Sequence, residues 1–116
     1  MNAKKMNHLL INTFPELIVS YHDEVDWQEG DETGSHVVYG DVFMPYVEKV
    51  INEEKHDDMK RIFKFIEDVL LLNEEYSDEV IMFSVLERLI YSDYFEKCER
   101  WFGRYTREVV DGVFLK

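Results

Sequence analysis

Cross-linking chemistry is nearly absent from this chain. Cys98 is the only cysteine in 116 residues, so no internal disulfide can form and a cytoplasmic setting is expected. No catalytic partner stands near Cys98 in sequence, which reads as a packed thiol and not a nucleophile. There are only five glycines and two prolines, which fits long helices with short connections. No apolar run reaches the ~18 residues of a membrane span. Behind Lys4 and Lys5 the apolar stretch is broken by Asn12, Thr13 and Pro15, so a secretory leader is not expected. Catalytic signatures are missing too: there is no Gly-x-Ser-x-Gly and no glycine-rich phosphate loop. His8, His22, His36 and His56 never pair at i,i+4 with another His or Cys. Zinc-site spacings are therefore absent. His22-Asp23-Glu24 could meet His36 in space, but no metal or cofactor is expected.

Hydrophobic residues make up 46% of the chain and aromatics 15%, enough for one globular domain over 1–116. The expected fold class is all-α, with antiparallel helical hairpins in HEAT-like or bundle packing. The chain is organised around residues 76–91, where Val80, Ile81, Met82, Phe83, Val85, Leu86, Leu89 and Ile90 leave almost no polar face. A helix apolar nearly all round is a buried one. Ser77 is its expected N-cap, with Asp78 and Glu79 favoured by the helix dipole. Exposure of Met82, Phe83 or Leu86 would instead move the binding surface there or imply a dimer.

The other elements follow from periodicity and breakers. A first helix is expected over 3–12. Thr13-Phe14-Pro15-Glu16 reads as a capping box, opening a helix with 14, 17, 18, 21 and 25 on one face. Residues 26–35 are polar, carry Gly30 and Gly34, and read as an exposed loop. Pro45 interrupts an apolar stripe, so a short turn at 36–40 is expected, then a helix from 41 to 54 capped by Asp41. Asp57 should cap an amphipathic helix carrying Met59, Ile62, Phe63, Ile66, Val69 and Leu70, joined to the central helix through a turn at 73–75. Asp93 and Glu96 form a second apparent capping box, and Gly103 a stop. A last turn or short helix is expected over 106–110, with residues 113–115 packing back on the body.

Charge carries what functional information there is. The formal net charge is −12, which argues against bulk nucleic acid as a partner. No Lys or Arg occurs from Met6 to Glu48. Residues 1–54 hold three basic and eleven acidic side chains, net −8, whereas 55–116 hold ten and fourteen, net −4. Asp23, Glu24, Asp26, Glu29, Asp31, Glu32 and Asp41 surround Trp27 and form the candidate partner-binding region. Two readings of Trp27 stay open. It is an interface anchor among steering charges, or it folds onto the body while the acids form a solvated surface. Lys97, Arg100, Arg104 and Arg107 recur at helical spacing with aromatics between them. They are expected to pair with the protein's own acids rather than bind single-stranded nucleic acid.

Residues 40–46, 59–67 and 84–89, with Phe14-Pro15-Glu16-Leu17 and Phe102-Gly103-x-x-Thr106-Arg107, resemble a family of small acidic helical bacterial proteins. The likeness is to cognate immunity proteins of contact-dependent or polymorphic toxin systems. It implies a non-catalytic protein that binds and neutralises a toxin domain, often a basic nuclease, and it supplies no inhibitory residue. A helical adaptor with another cytosolic partner is the alternative. A hydrolase built on the scattered carboxylates would need a deep cleft lined by Asp or Glu with a raised pKa.

Overall fold

Asn2 starts the first helix, its side chain accepting from the Lys5 amide at 2.9 Å. In a computed structural model describing residues 1–115, the chain forms seven helices and, among the described residues, no strand. They are α1 (Ala3–Thr13), α2 (Ile18–Val25, entered through a 3-10 turn Pro15–Leu17), α3 (35–52), α4 (His56–Leu71), α5 (75–90), α6 (Phe95–Cys98) and α7 (Arg104–Val113). No helix among these residues is long and apolar enough to cross a membrane.

The fold is all-α, and α5 shares its centre with α4. The apolar stripe of α4, including Met59, Ile62, Phe63, Ile66, Val69 and Leu70, is buried, and α4 packs against α3, α5 and α7. The expected hairpin α4–α5 forms, its turn placing Asn73 at φ 55°, a left-handed position that Asn tolerates. Phe14, Phe43 and Phe65 cluster with ring centroids 5.3–5.7 Å apart. Tyr39 joins them and donates its hydroxyl to the Met6 carbonyl at 2.7 Å. Cys98 is fully buried, and burial pushes its thiol up to about 12.

Pro45 does not divide α3. The helix runs from Ser35 to Asn52 because its middle, Tyr39–Phe43, is a π-helical turn. A wide turn relieves the clash of the proline ring with the preceding carbonyls. It also orphans one acceptor. The Met44 amide donates to the Tyr39 carbonyl, and Pro45 has no N–H to give Gly40. Arg88 on α5 fills the gap, its Nη1 donating to the Gly40 carbonyl at 3.0 Å. A side chain on Gly40 would put its Cβ 2.9 Å from Arg88 Nη2. A second π turn, Met82–Leu86, packs against the first, and Ser84 Oγ lies 3.0 Å from His36 Nδ1. Losing the Arg88 bond is worth about 1 kcal/mol. Arg88→Ala and Gly40→Ala should each lower the denaturant midpoint, and the double variant should cost no more than the worse single one. Fully additive losses would break this coupling.

Several expected caps are corrected. Thr13 ends α1, its hydroxyl donating to the Leu9 carbonyl at 2.8 Å, and Glu16 accepts from Tyr46 and Arg61 instead of closing a capping box. The helix at 76–91 begins earlier, at Glu75, so Ser77 lies inside its first turn, buried, and donates to the Glu74 carbonyl. Asp57 sits within the first turn of α4, whose N-cap is Lys55. Asp41 lies inside the π turn and caps nothing. At 92–96 it is Ser92 Oγ that accepts from the Tyr94 amide. Gly103 is a stop, but it also begins α7, which reaches Val113. The central helix is not apolar on a buried surface all round: Leu86 is buried and Met82 half-buried, but Phe83 is 47% exposed beside Phe114.

Candidate partner-binding surface

The 3-10 turn and α2 set Leu17, Tyr21 and Val25 against the body, and α2 turns its opposite face to solvent. Asp26 keeps helical dihedrals and donates its amide to the His22 carbonyl, so the helical path continues to the edge of Trp27. The segment beyond Trp27 is not a free loop. Asn7, fully buried on α1, donates to the Asp31 and Thr33 carbonyls at 3.0 and 2.7 Å and accepts from Ser35 Oγ at 2.7 Å. Thr33 Oγ1 donates to the Gly30 carbonyl and accepts from the Glu29 amide. Gly30 takes φ 58°, where a side chain would be strained. Residues 30–35 are therefore folded onto α1, and Thr33 and Ser35 are buried, not exposed as their polarity suggests.

The eight sequence-selected residues divide in two. Asp23, Asp26, Trp27, Glu29, Glu32 and Asp41 are exposed. Asp31 and Glu24 are half-buried and engaged within the chain. Asp31 accepts from the Tyr21 hydroxyl at 2.7 Å and faces His8 Nε2 at 3.0 Å. The Tyr21 bond, then His8, hold its carboxyl below the usual range. Gln28 Nε2 donates to Glu24 Oε2 at 2.6 Å. Burial and then the facing Asp41 push the Glu24 carboxyl up.

Trp27 is 74% exposed, which settles its placement: the ring does not fold onto the body. Val19 is 69% and Ile18 40% exposed on the same helix. Ile18 thus leaves the inner face assigned to it, and Val19 was missed. Four-residue spacing from Trp27 back through Asp23 to Val19 was the signal available for it.

The basic residues near the C-terminus do not meet this surface. Gly103 separates Lys97 and Arg100 from Arg104 and Arg107, which lie on α7. Arg104 pairs weakly with Glu108 at 3.6 Å, and Lys97, Arg100 and Arg107 make no salt bridge among the described residues. Arg107 lies over the Phe102 ring and donates to the Glu99 carbonyl at 2.9 Å. The histidines disperse: His22 sits 3.0 Å from Asp26, His36 faces Ser84, and His56 lies beside Trp101.

Several grooves mark the body. One of about 390 Å³ between α1 and α4 is lined by Leu9, Phe65, Val69 and Leu72 with Thr13, Arg61, Lys64 and Asp68. Another, of about 410 Å³, includes Glu16, Ser20, Asp41 and Tyr46, and one of about 520 Å³ includes Asn52, Tyr91, Asp93 and Lys97. Glu24 and Asp78, the carboxyls pushed up by burial and by a neighbouring acid, line none of these.

The chain belongs to a family described as a domain of unknown function, DUF7674, which matches residues 7–116. No curated protein and no solved structure matches the chain. The DUF7674 match spans the whole acidic region and both π turns.

Proposed function

We propose that this chain is an immunity-type protein. It binds a cognate bacterial toxin domain, a nuclease with a basic active site, and neutralises it through the acidic N-terminal surface, in the cytoplasm and without chemistry of its own. The observation that carries this reading is Trp27, 74% exposed within an acidic surface. Its flanking sequence holds no Lys or Arg from Met6 to Glu48. An exposed aromatic among like charges costs solubility and self-repulsion, and both are relieved by a basic partner. The resemblance to immunity proteins supplies the class of that partner.

A toxin reading frame directly upstream would support this reading, and its toxin domain would then be tested against a variant with Asp23, Asp26, Glu29 and Glu32 changed to Lys. Glu24 and Asp31 stay intact because they hold the fold. Affinity should fall by roughly 100-fold or more, with protection of the host lost, since facing charges become repulsive. Unchanged protection by this variant at raised salt would remove the acidic surface as the interface.

A second reading rests on the half-exposed Phe83, which packs edge-on against Phe114 at 6.2 Å. Its exposure meets the condition for moving the binding surface to the central helix, and this face is the one a helical adaptor would use. Phe83→Ser should leave toxin binding unchanged under the first reading and weaken partner binding under the second.

A further inference from the structure

The outer face of α2 carries two exposed aliphatic side chains, Ile18 and Val19, where a solvated helix has no need of them. Its inner residues, Leu17, Tyr21 and Val25, already bury the helix on the core. Outside, Val19 and Asp23 share one four-residue ridge, Ile18, His22 and Asp26 the neighbouring one, and Trp27 follows in the turn just past the helix end. From Ile18 to Asp26, the helix and its C-cap, the rise is roughly 12 Å, about two turns. Val19 and Trp27 are the most exposed aliphatic and tryptophan side chains on this surface, at 69% and 74%. Each lies within one turn of Asp23 or Asp26, and both of these are exposed.

We infer that this double ridge docks a basic amphipathic helix of a protein partner. The apolar side of that helix covers Val19 and Trp27, and its Lys or Arg residues pair with Asp23, Asp26 and Glu29. Charge complementarity selects this occupant. The nearest cationic candidate on the ridge itself is His22, 3.0 Å from Asp26, and no Lys or Arg stands within the segment. A second copy of this chain would bring net −12 against net −12, and like-charge contact opposes it. The inference rests on the reading of the acidic region as a protein interface and names what that interface recognises. It also sorts the acids. Asp23, Asp26 and Glu29 meet the partner, whereas Asp31 is a positioning residue, tied to Tyr21 and His8.

The probe is a fluorescently labelled helical peptide of Lys and Leu, four turns long, with the Leu residues on one face. A Lys/Ser peptide of equal charge and a Glu/Leu peptide of equal length are the controls. Anisotropy is read with the full chain, with Val19→Ser/Trp27→Ala, with Asp23→Asn/Asp26→Asn/Glu29→Gln, and with Phe83→Ser. All of these positions are solvent-exposed, and a thermal melt confirms that each variant is folded. Binding of the Lys/Leu peptide should exceed that of both controls. It should fall about tenfold or more in each of the two α2 variants, as expected for loss of an anchor or of its charge partners. Phe83→Ser should leave it unchanged. Loss in the charge variant alone would overturn the apolar ridge while leaving the acidic interface standing. Lys/Leu binding no tighter than Glu/Leu, or binding lost only in Phe83→Ser, would overturn both.

Discussion

Asn7→Ala should be among the most damaging single substitutions in the chain, although Asn7 lies far in sequence from the surface it supports. Its side chain is fully buried and makes three hydrogen bonds, to the Asp31 carbonyl, the Thr33 carbonyl and Ser35 Oγ. Alanine would strand both carbonyls. Ser35 Oγ can fall back on the Ala3 carbonyl, which it already approaches at 3.3 Å. A stranded buried acceptor costs about 1–3 kcal/mol, and the Thr33 carbonyl is buried while that of Asp31 is half-buried, so the expected loss is roughly 3 kcal/mol, a large part of the stability of a small domain. That corresponds to a fall in Tm on the order of 10 °C. Ser35→Ala, which strands only the Asn7 side-chain oxygen, should cost about 1–2 kcal/mol, less than Asn7→Ala. Hydrogen exchange should show residues 30–35 opening well before the core in Asn7→Ala. A Tm within about 2 °C of the wild type would mean that water replaces the amide and that the segment does not depend on it.

The same residue shows where reading the sequence stops. Asn7 sits mid-helix between apolar Met6 and the face of Leu9 and Leu10, and a polar residue there looks like a solvent position. Only the return of the chain past α1 at Asp31–Ser35 makes it a core residue. Periodicity recovered what depends on local spacing: the all-α class, the α4 stripe, the α4–α5 hairpin and the stop at Gly103. Caps were less legible because Ser, Thr and Asp serve several local bonds. Thr13 bonds back to Leu9 and Ser77 back to Glu74, so neither opens a helix. Pro45 misled for a physical reason. A proline breaks an α-helix, but a π turn absorbs it if another group takes the orphaned carbonyl, and Arg88 is remote in sequence from Gly40. In the acidic region, composition located the surface but could not separate Asp31, bonded to Tyr21 and His8, from Asp23, which faces solvent.

Glu67 is expected to hold the C-terminal helix to the body through its charge, and acid should release it. The α7 helix has no capping side chain of its own. Glu67, on α4, takes that role from a distance. Its carboxylate accepts from the Thr106 amide at 2.8 Å, the Thr106 hydroxyl at 2.7 Å and the Tyr105 amide at 3.0 Å. These donors lie in the first turn of α7, where the helix dipole also favours a negative charge. Gly103 makes room, since a Cβ there would run into the Glu67 carboxyl. Burial alone would raise the Glu67 carboxyl, but the Thr106 side chain and the two amides outweigh it, and it sits below the usual range. A folded-state pKa below the unfolded one contributes stability above the unfolded value, near 4.3. That contribution disappears as pH falls through the depressed folded value. Glu67→Ala should therefore cost about 2–3 kcal/mol at neutral pH. Its deficit against the wild type should shrink below about pH 4, as the wild-type carboxylate becomes protonated. Glu67→Gln should recover part of the loss, because its amide oxygen can still accept from Thr106. Gly103→Ala should mimic Glu67→Ala, since it forces the carboxylate away from the helix end. Denaturant melts between pH 3 and 7 would decide the matter. A deficit independent of pH would show that Glu67 holds α7 by packing and not by charge.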